Sequence, residues 1–178
     1  MFLKESKMKK SFLKSFCEII DAAIIATVVV LIAFTFFFRI FVVYGTSMDT
    51  TLAQGQRIVV SDLFYTPERG DIVCLYSSEE QEVLVKRVIA TGGQTVDIRN
   101  DGSVYVDGVK LAEDYIGGKL TNPHDVGMPH KVADGCVFVM GDNRDVSLDS
   151  RFSVIGDIPN DMLYGKLLVR LNPFGKVD

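Results

Sequence analysis

Apolar and polar residues follow two different patterns along this chain, and the change falls near residue 44. From Ala22 to Phe38 seventeen residues pass without a charge, and after Arg39 the apolar run resumes in Ile40-Phe41-Val42-Val43. Read as a helix at about 1.5 Å per residue, the span 19–43 covers about 37 Å, enough to cross a hydrocarbon core of about 30 Å. Asp21 and Arg39 fall near its ends, within snorkelling reach of headgroups. From residue 57 the pattern shortens to runs of Val, Ile, Tyr and Phe punctuated by Gly, Asp and Asn. These runs predict strands over 57–61, 71–76, 82–90, 95–99, 103–106, 136–140 and 165–170. Asn100-Asp101-Gly102 and Asp107-Gly108 are hairpin turns by composition, because they tolerate positive φ. The stretch 117–134 is rich in Pro, Gly and His and reads as a loop. The fold class is therefore mainly β, preceded by one N-terminal transmembrane helix.

Charge adds orientation. Lys4, Lys7, Lys9, Lys10 and Lys14 precede the apolar span, so the positive-inside bias predicts a cytoplasmic basic terminus over 1–18. The helix 19–43 then spans the cell membrane once, and 44–178 forms an extracytoplasmic domain. A cleaved secretory leader fits less well: the run exceeds the usual 7–15 residues and no A-x-A-like site follows. The overall charge of −4 divides into about +3 over residues 1–39 and about −7 over the rest. An acidic domain without a basic stripe argues against a nucleic-acid partner. The three cysteines, Cys17, Cys74 and Cys136, include no C-x-x-C pair. Cys74 and Cys136 sit in apolar runs and read as buried thiols, with a disulfide between them left open. His124 and His130 fall in the loop and suggest no metal site.

Three segments carry more polar chemistry than a β-core requires: Gly45–Leu52, Val85–Gly93 and Gly141–Arg151. Strand alternation puts Lys86 on one face with Leu84 and Val88, and Arg87 on the other with Val85 and Ile89. A lysine in such apolar surroundings loses ammonium hydration, which lowers its pKa. To serve as a base near pH 8 it must fall from about 10.4, at a cost of about 3–4 kcal/mol, which burial can supply. A neutral amine can then take a serine proton. An edge-strand lysine that deters aggregation explains the same residue taken alone. Ser47 taken alone could simply cap a helix end. Alternating Asp, Asn, Arg and Ser over Gly141–Arg151 must either face water or form a buried hydrogen-bonded network.

Together these segments closely resemble the type I signal peptidases. Ser47-Met48 followed by Thr51-Leu52 resembles the nucleophile motif, Gly70-Asp71-Ile72-Val73 a second box, Lys86-Arg87-Val88-Ile89 the box of the general base, and Gly141-Asp142-Asn143-Arg144 with Ser147, Asp149, Ser150 and Arg151 the last box. The resemblance implies a serine endopeptidase with a Ser47–Lys86 dyad that cleaves signal peptides from secretory preproteins after small residues, through an acyl-enzyme. It also implies that Ser147 orients the lysine, that Asp149 and Arg151 form a supporting ion pair, and that Asp142 and Arg144 support the site. Met48, Leu52 and Val85 would line a small apolar substrate pocket, with the substrate strand added beside the strand ending at Val85. No metal or organic cofactor is implied. Expected partners are secretory preproteins and the lipid bilayer, with the secretion translocon a candidate. The Ser47 N–H is one oxyanion donor, and the second is unassigned because Gly45 stands where some members have serine. Thr50 and Gly92 stand where proline is common in the family, and Gln94 where aspartate is. The Thr50 departure motivates an alternative, a specialised relative dedicated to one partner such as a pilus subunit. An inactive membrane-anchored scaffold is a third reading, and a self-cleaving repressor is excluded by the anchor and the lack of a DNA-reading segment.

Overall fold

Residues 2–77 and 82–177 are described by the computed structural model. The chain folds as two units, Met1–Phe37 and Phe38–Asp178. The first is a single helix, α1 (Phe2–Phe37). Its stretch Lys14–Phe37 is 24 residues long and apolar enough to cross a membrane. Thr27 and Thr35 return their hydroxyl protons to the carbonyls of Ala23 and Ile32, at 2.8 and 2.7 Å. A hydrocarbon environment requires such internal satisfaction of polar groups.

The helix stops at Phe37, six residues short of the end predicted for the apolar span. Residues 38–42 are instead a strand, and the span 19–43 is corrected accordingly. Phe38, Ile40, Phe41 and Val42 are aromatic or β-branched, types that favour a pleated surface. Five consecutive residues find partners across an antiparallel ladder, from Phe38 opposite Ser61 to Val42 opposite Arg57. At about 1.5 Å per residue the apolar stretch Lys14–Phe37, 24 residues long, covers about 36 Å.

In chain order the strands are β1 (Phe38–Val42), β2 (Arg57–Ser61), β3 (Ile72–Ser77), β4 (Glu82–Thr91), β5 (Thr95–Ile98), β6 (Val104–Val106), β7 (Val109–Lys110), β8 (His130–Lys131), β9 (Cys136–Met140), β10 (Ile158–Pro159), β11 (Leu163–Leu171) and β12 (Phe174–Gly175). The larger sheet runs β1-β2-β11-β3-β4-β9-β10, with β12 paired to β11, and the smaller runs β7-β6-β5-β8. All pairings are antiparallel. The seven strands expected from the sequence are β2, β3, β4, β5, β6, β9 and β11, within one or two residues at their ends. Asn100-Asp101-Gly102 closes the β5–β6 hairpin, and Asp107-Gly108 turns β6 into β7. The expected loop 117–134 is irregular except for β8, which borrows its order from β5.

One apolar cluster gathers Val43, Met48, Leu52, Ile58, Val60, Ile72, Cys74, Val85 and Leu167. A second fills the space between the sheets around Ile89, Val96, Phe138 and Met140. Cys74 and Cys136 are free thiols rather than a disulfide, and burial pushes the Cys74 thiol up to about 12. Burial on that scale makes Cys74 an inert core residue.

The strand that matters most is β4. Its first half pairs with β3, from Glu82 opposite Ser77 to Arg87 opposite Ile72. Its second half pairs with β9, from Arg87 opposite Met140 to Thr91 opposite Val137. Among the described residues, no strand pairs with 82–85 on the side away from β3. The chain thus presents a short open edge that ends at Lys86.

Candidate active site

Ser47 follows β1 in a tight segment. The Thr51 and Leu52 N–H groups both donate to the Met48 carbonyl, at 3.0 and 2.8 Å, forming a single turn after the serine. Met48 and Leu52, each 1% exposed, pin that turn into the first apolar cluster. The serine backbone is also gripped from the other side. Asn143 donates its main-chain N–H to the Ser47 carbonyl at 2.9 Å and its Nδ2 to the Thr46 carbonyl at 3.0 Å.

Lys86 and Arg87 are both 3% exposed, so the two faces of β4 each bury a base. Lys86 Nζ donates to Ser147 Oγ at 3.0 Å. The Gly141 N–H that donates to Ser147 Oγ donates also to Asp149 Oδ2, at 3.0 Å. The Ser147 oxygen is an acceptor for both Lys86 and the Gly141 N–H, the latter at 3.1 Å. This polarity turns one N–H of the amine toward Ser147.

Around this contact lie three buried carboxylates, each engaged by an arginine. Arg87 forks onto Asp142 with two bonds of 2.8 Å. Arg151 forks onto Asp149 at 2.8 and 2.9 Å, and Arg144 meets Glu113 at 2.6 Å. Asp149 and Arg151 are therefore paired as expected. Asp142 and Arg144 are both in the site but with other partners, Arg87 and Glu113, rather than with each other. None of these carboxylates needs the Lys86 ammonium for charge balance. Burial pushes the Asp149 carboxyl up, but the bonds and charge of Arg151, with bonds from Ser147 and the Gly141 N–H, outweigh it and hold the carboxyl below its usual range.

Several members of this assembly had no sequence signal of their own. Tyr115 lies in the one-turn helix Asp114–Ile116, its ring 4.0 Å from the Arg87 guanidinium carbon, while its hydroxyl donates to Glu113 at 3.0 Å. Thr121 receives a bond from Arg144. Arg87 could have been found from strand alternation, which placed it opposite Lys86 among apolar neighbours. Gly141 is present for space. A Cβ there would overlap both Ser147 Oγ and the Ser47 carbonyl oxygen. The Ser47 segment and Ser147 approach each other only because this side chain is absent.

Ser47 and Lys86 line one cleft of about 220 Å3 with Tyr44, Val83, Val85 and Leu148. Val85 forms its wall, whereas Met48 and Leu52 lie buried with Val85 in the cluster beneath. His124 stacks on Phe152 and His130 Nε2 lies 2.8 Å from Asp157. No group of three or more potential metal ligands occurs among the described residues.

The family model for signal peptidase, peptidase S26, matches residues 16–172. The chain belongs to this family. It is 37% identical over 173 residues to a signal peptidase I of Bacillus licheniformis, covering 92% of each chain. It is 42% identical over 139 residues to a probable signal peptidase I-1 of Synechocystis, covering 71% of this chain and 67% of that one. A solved signal peptidase I from Enterococcus faecalis superposes with a TM-score of 0.48 at 30% identity, covering 58% of this chain and 97% of that one. This signal peptidase is a serine-type endopeptidase by that membership.

The departures from the family pattern now have places. Thr50 has a φ of 97°, far from the value near −65° that proline imposes. Its hydroxyl donates to the Tyr115 carbonyl, tying the turn after Ser47 to the Glu113–Ile116 segment. Gly92 and Gln94 sit in the β4–β5 turn, where Gln94 Oε1 accepts from the Thr91 N–H at 3.0 Å. Neither lines the cleft.

Gly141→Ala should lower the single-turnover rate by about 100-fold while leaving the circular dichroism of the protein intact, since displacements of this size typically cost that much. Asp149 makes an independent prediction about acid stability. Its folded carboxyl titrates below the ordinary 3.8, so its contribution is complete above that value and is lost as pH falls through the folded pKa. Asp149→Asn should lower the urea midpoint at pH 7, by about 3–5 kcal/mol in stability, and flatten the acid limb of the stability curve. An unchanged acid limb would contradict the pairing.

Proposed function

We propose that Ser47 is the nucleophile and Lys86 the general base of a signal peptidase that releases secretory preproteins from their signal peptides. The supporting observation is the shared cleft, with a buried amine held 3.0 Å from Ser147 Oγ on the side of Asp149. Burial disfavours the ammonium form of Lys86 and so favours an amine with a lone pair to offer. With one N–H committed to Ser147, that lone pair can face the Ser47 hydroxyl.

The reaction then follows in two halves. Ser47 Oγ attacks the scissile carbonyl carbon as its proton moves to Lys86, and the Ser47 N–H faces the developing oxyanion. Collapse of this intermediate breaks the C–N bond, and Lys86 returns the proton to the leaving amine. The signal peptide remains as an ester on Ser47. Lys86 next takes a proton from water, the hydroxide attacks the ester, and the proton returns to Ser47 as the peptide carboxylate departs. The substrate adds as a strand along the open edge at 82–85, and the small cleft admits small side chains at the first and third places before the bond. Val85 walls that pocket, backed by Met48 and Leu52. The apolar helix anchors the enzyme in the cell membrane, its basic end cytoplasmic and its catalytic unit outside.

Cleavage of a preprotein in liposomes should rise through mildly alkaline pH, as the amine loses its proton, and Ser47→Ala should abolish it. Lys86→Arg should abolish it too, because a guanidinium stays protonated. A pH-independent rate, or an active arginine variant, removes the base assignment.

A further inference from the structure

We infer that the cleft continues into a separate apolar subsite for the fifth side chain before the scissile bond. The inference rests on the dyad and strand-addition reading above. Beyond Ser47 and Lys86 the cleft reaches Tyr44, Glu82 and Val83, and these same residues, with Phe41 and Val42, line an adjoining pocket of about 460 Å3. The two cavities are thus continuous along one strand edge. Phe41 is half-buried and packs its ring 5.5 Å from Tyr164, so the floor is fixed. Tyr44 is 76% exposed and forms the outer wall. Among the described residues, Glu82 at the rim is the one charged group lining the pocket.

Strand geometry determines what reaches this pocket. Side chains alternate across a strand, and successive residues on one face are separated by about 6.6–6.8 Å. A substrate strand laid along 82–85 turns its first, third and fifth residues before the bond to the same face. Val85 and Val83 share a face of β4 and pack in one cluster with Phe41, so the first two positions fall along these valines. The fifth falls about 13 Å from the first, over Phe41 and Tyr44. The first two positions are confined by the narrow cleft, whereas the last meets a pocket twice as large. A leucine-sized apolar chain fits its chemistry, and an acidic chain is opposed by Glu82.

The test uses the full chain in liposomes and a series of preproteins identical except for Leu, Ser, Lys or Asp at the fifth place before the bond. Leucine should exceed serine and lysine by about tenfold in kcat/KM, with aspartate slowest. Phe41→Ala and Tyr44→Ser should each narrow the leucine-over-serine ratio. Tyr44 is exposed, so its variant reports on the subsite even if loss of Phe41 disturbs folding. Equal rates for all four substrates overturn the subsite, as does lysine being fastest or a ratio unchanged in the Tyr44 variant. Failure to cleave any of them, with Ser47→Ala indistinguishable from the wild type, would instead overturn the dyad.

Discussion

The hydroxyl of Ser147 is the contact on which the site depends. Gly141 and Lys86 both donate to its oxygen, and the same Gly141 N–H donates to Asp149, so the three groups hold one another in place. Arg151, itself fully buried, forks onto Asp149 and holds its carboxyl below the usual range.

The remainder of the polar interior secures the elements that carry these groups. Arg87 on β4 ties through Asp142 to the segment after β9, and Asp142 also receives the hydroxyl of Thr51 from the turn after Ser47. Arg87 donates as well to the Gly70 carbonyl at 3.0 Å, which gives the Gly70–Val73 box its place in the site. Tyr115 covers Arg87 on its open side. Isolated buried ion pairs are a poor source of stability, because desolvation consumes most of their attraction. Here each charge also bonds neighbouring backbone or side chains, so their value lies in fixing one arrangement of three chain segments that are distant in sequence.

Much of this was readable from local pattern. Lys86 and Arg87 announced themselves as bases inside an apolar strand, and alternation assigned them opposite faces. Seven strands followed from runs of branched and aromatic residues. What failed depended on contacts between distant residues. The run 38–43 is equally apolar as helix or strand, and only the ladder with 57–61 decides it. The partner of Asp142 is an arginine 55 positions away, which no local pattern indicates. Tyr115 and Glu113 sit in an irregular stretch whose composition carries no periodic signal. The two-residue strands β7, β8, β10 and β12 exist only because neighbours supply their bonds.

The division of labour along β4 carries a hazard as well as a function. A bare row of main-chain donors and acceptors does not discriminate between a guest peptide and a second molecule of the same protein. Among the described residues the unpaired stretch is four residues long and begins with an acidic side chain, so two copies meeting edge to edge along it would bring like charges together. The acidic side chain at the start of this edge therefore sets a charge penalty on pairing between copies that an uncharged extended peptide does not meet.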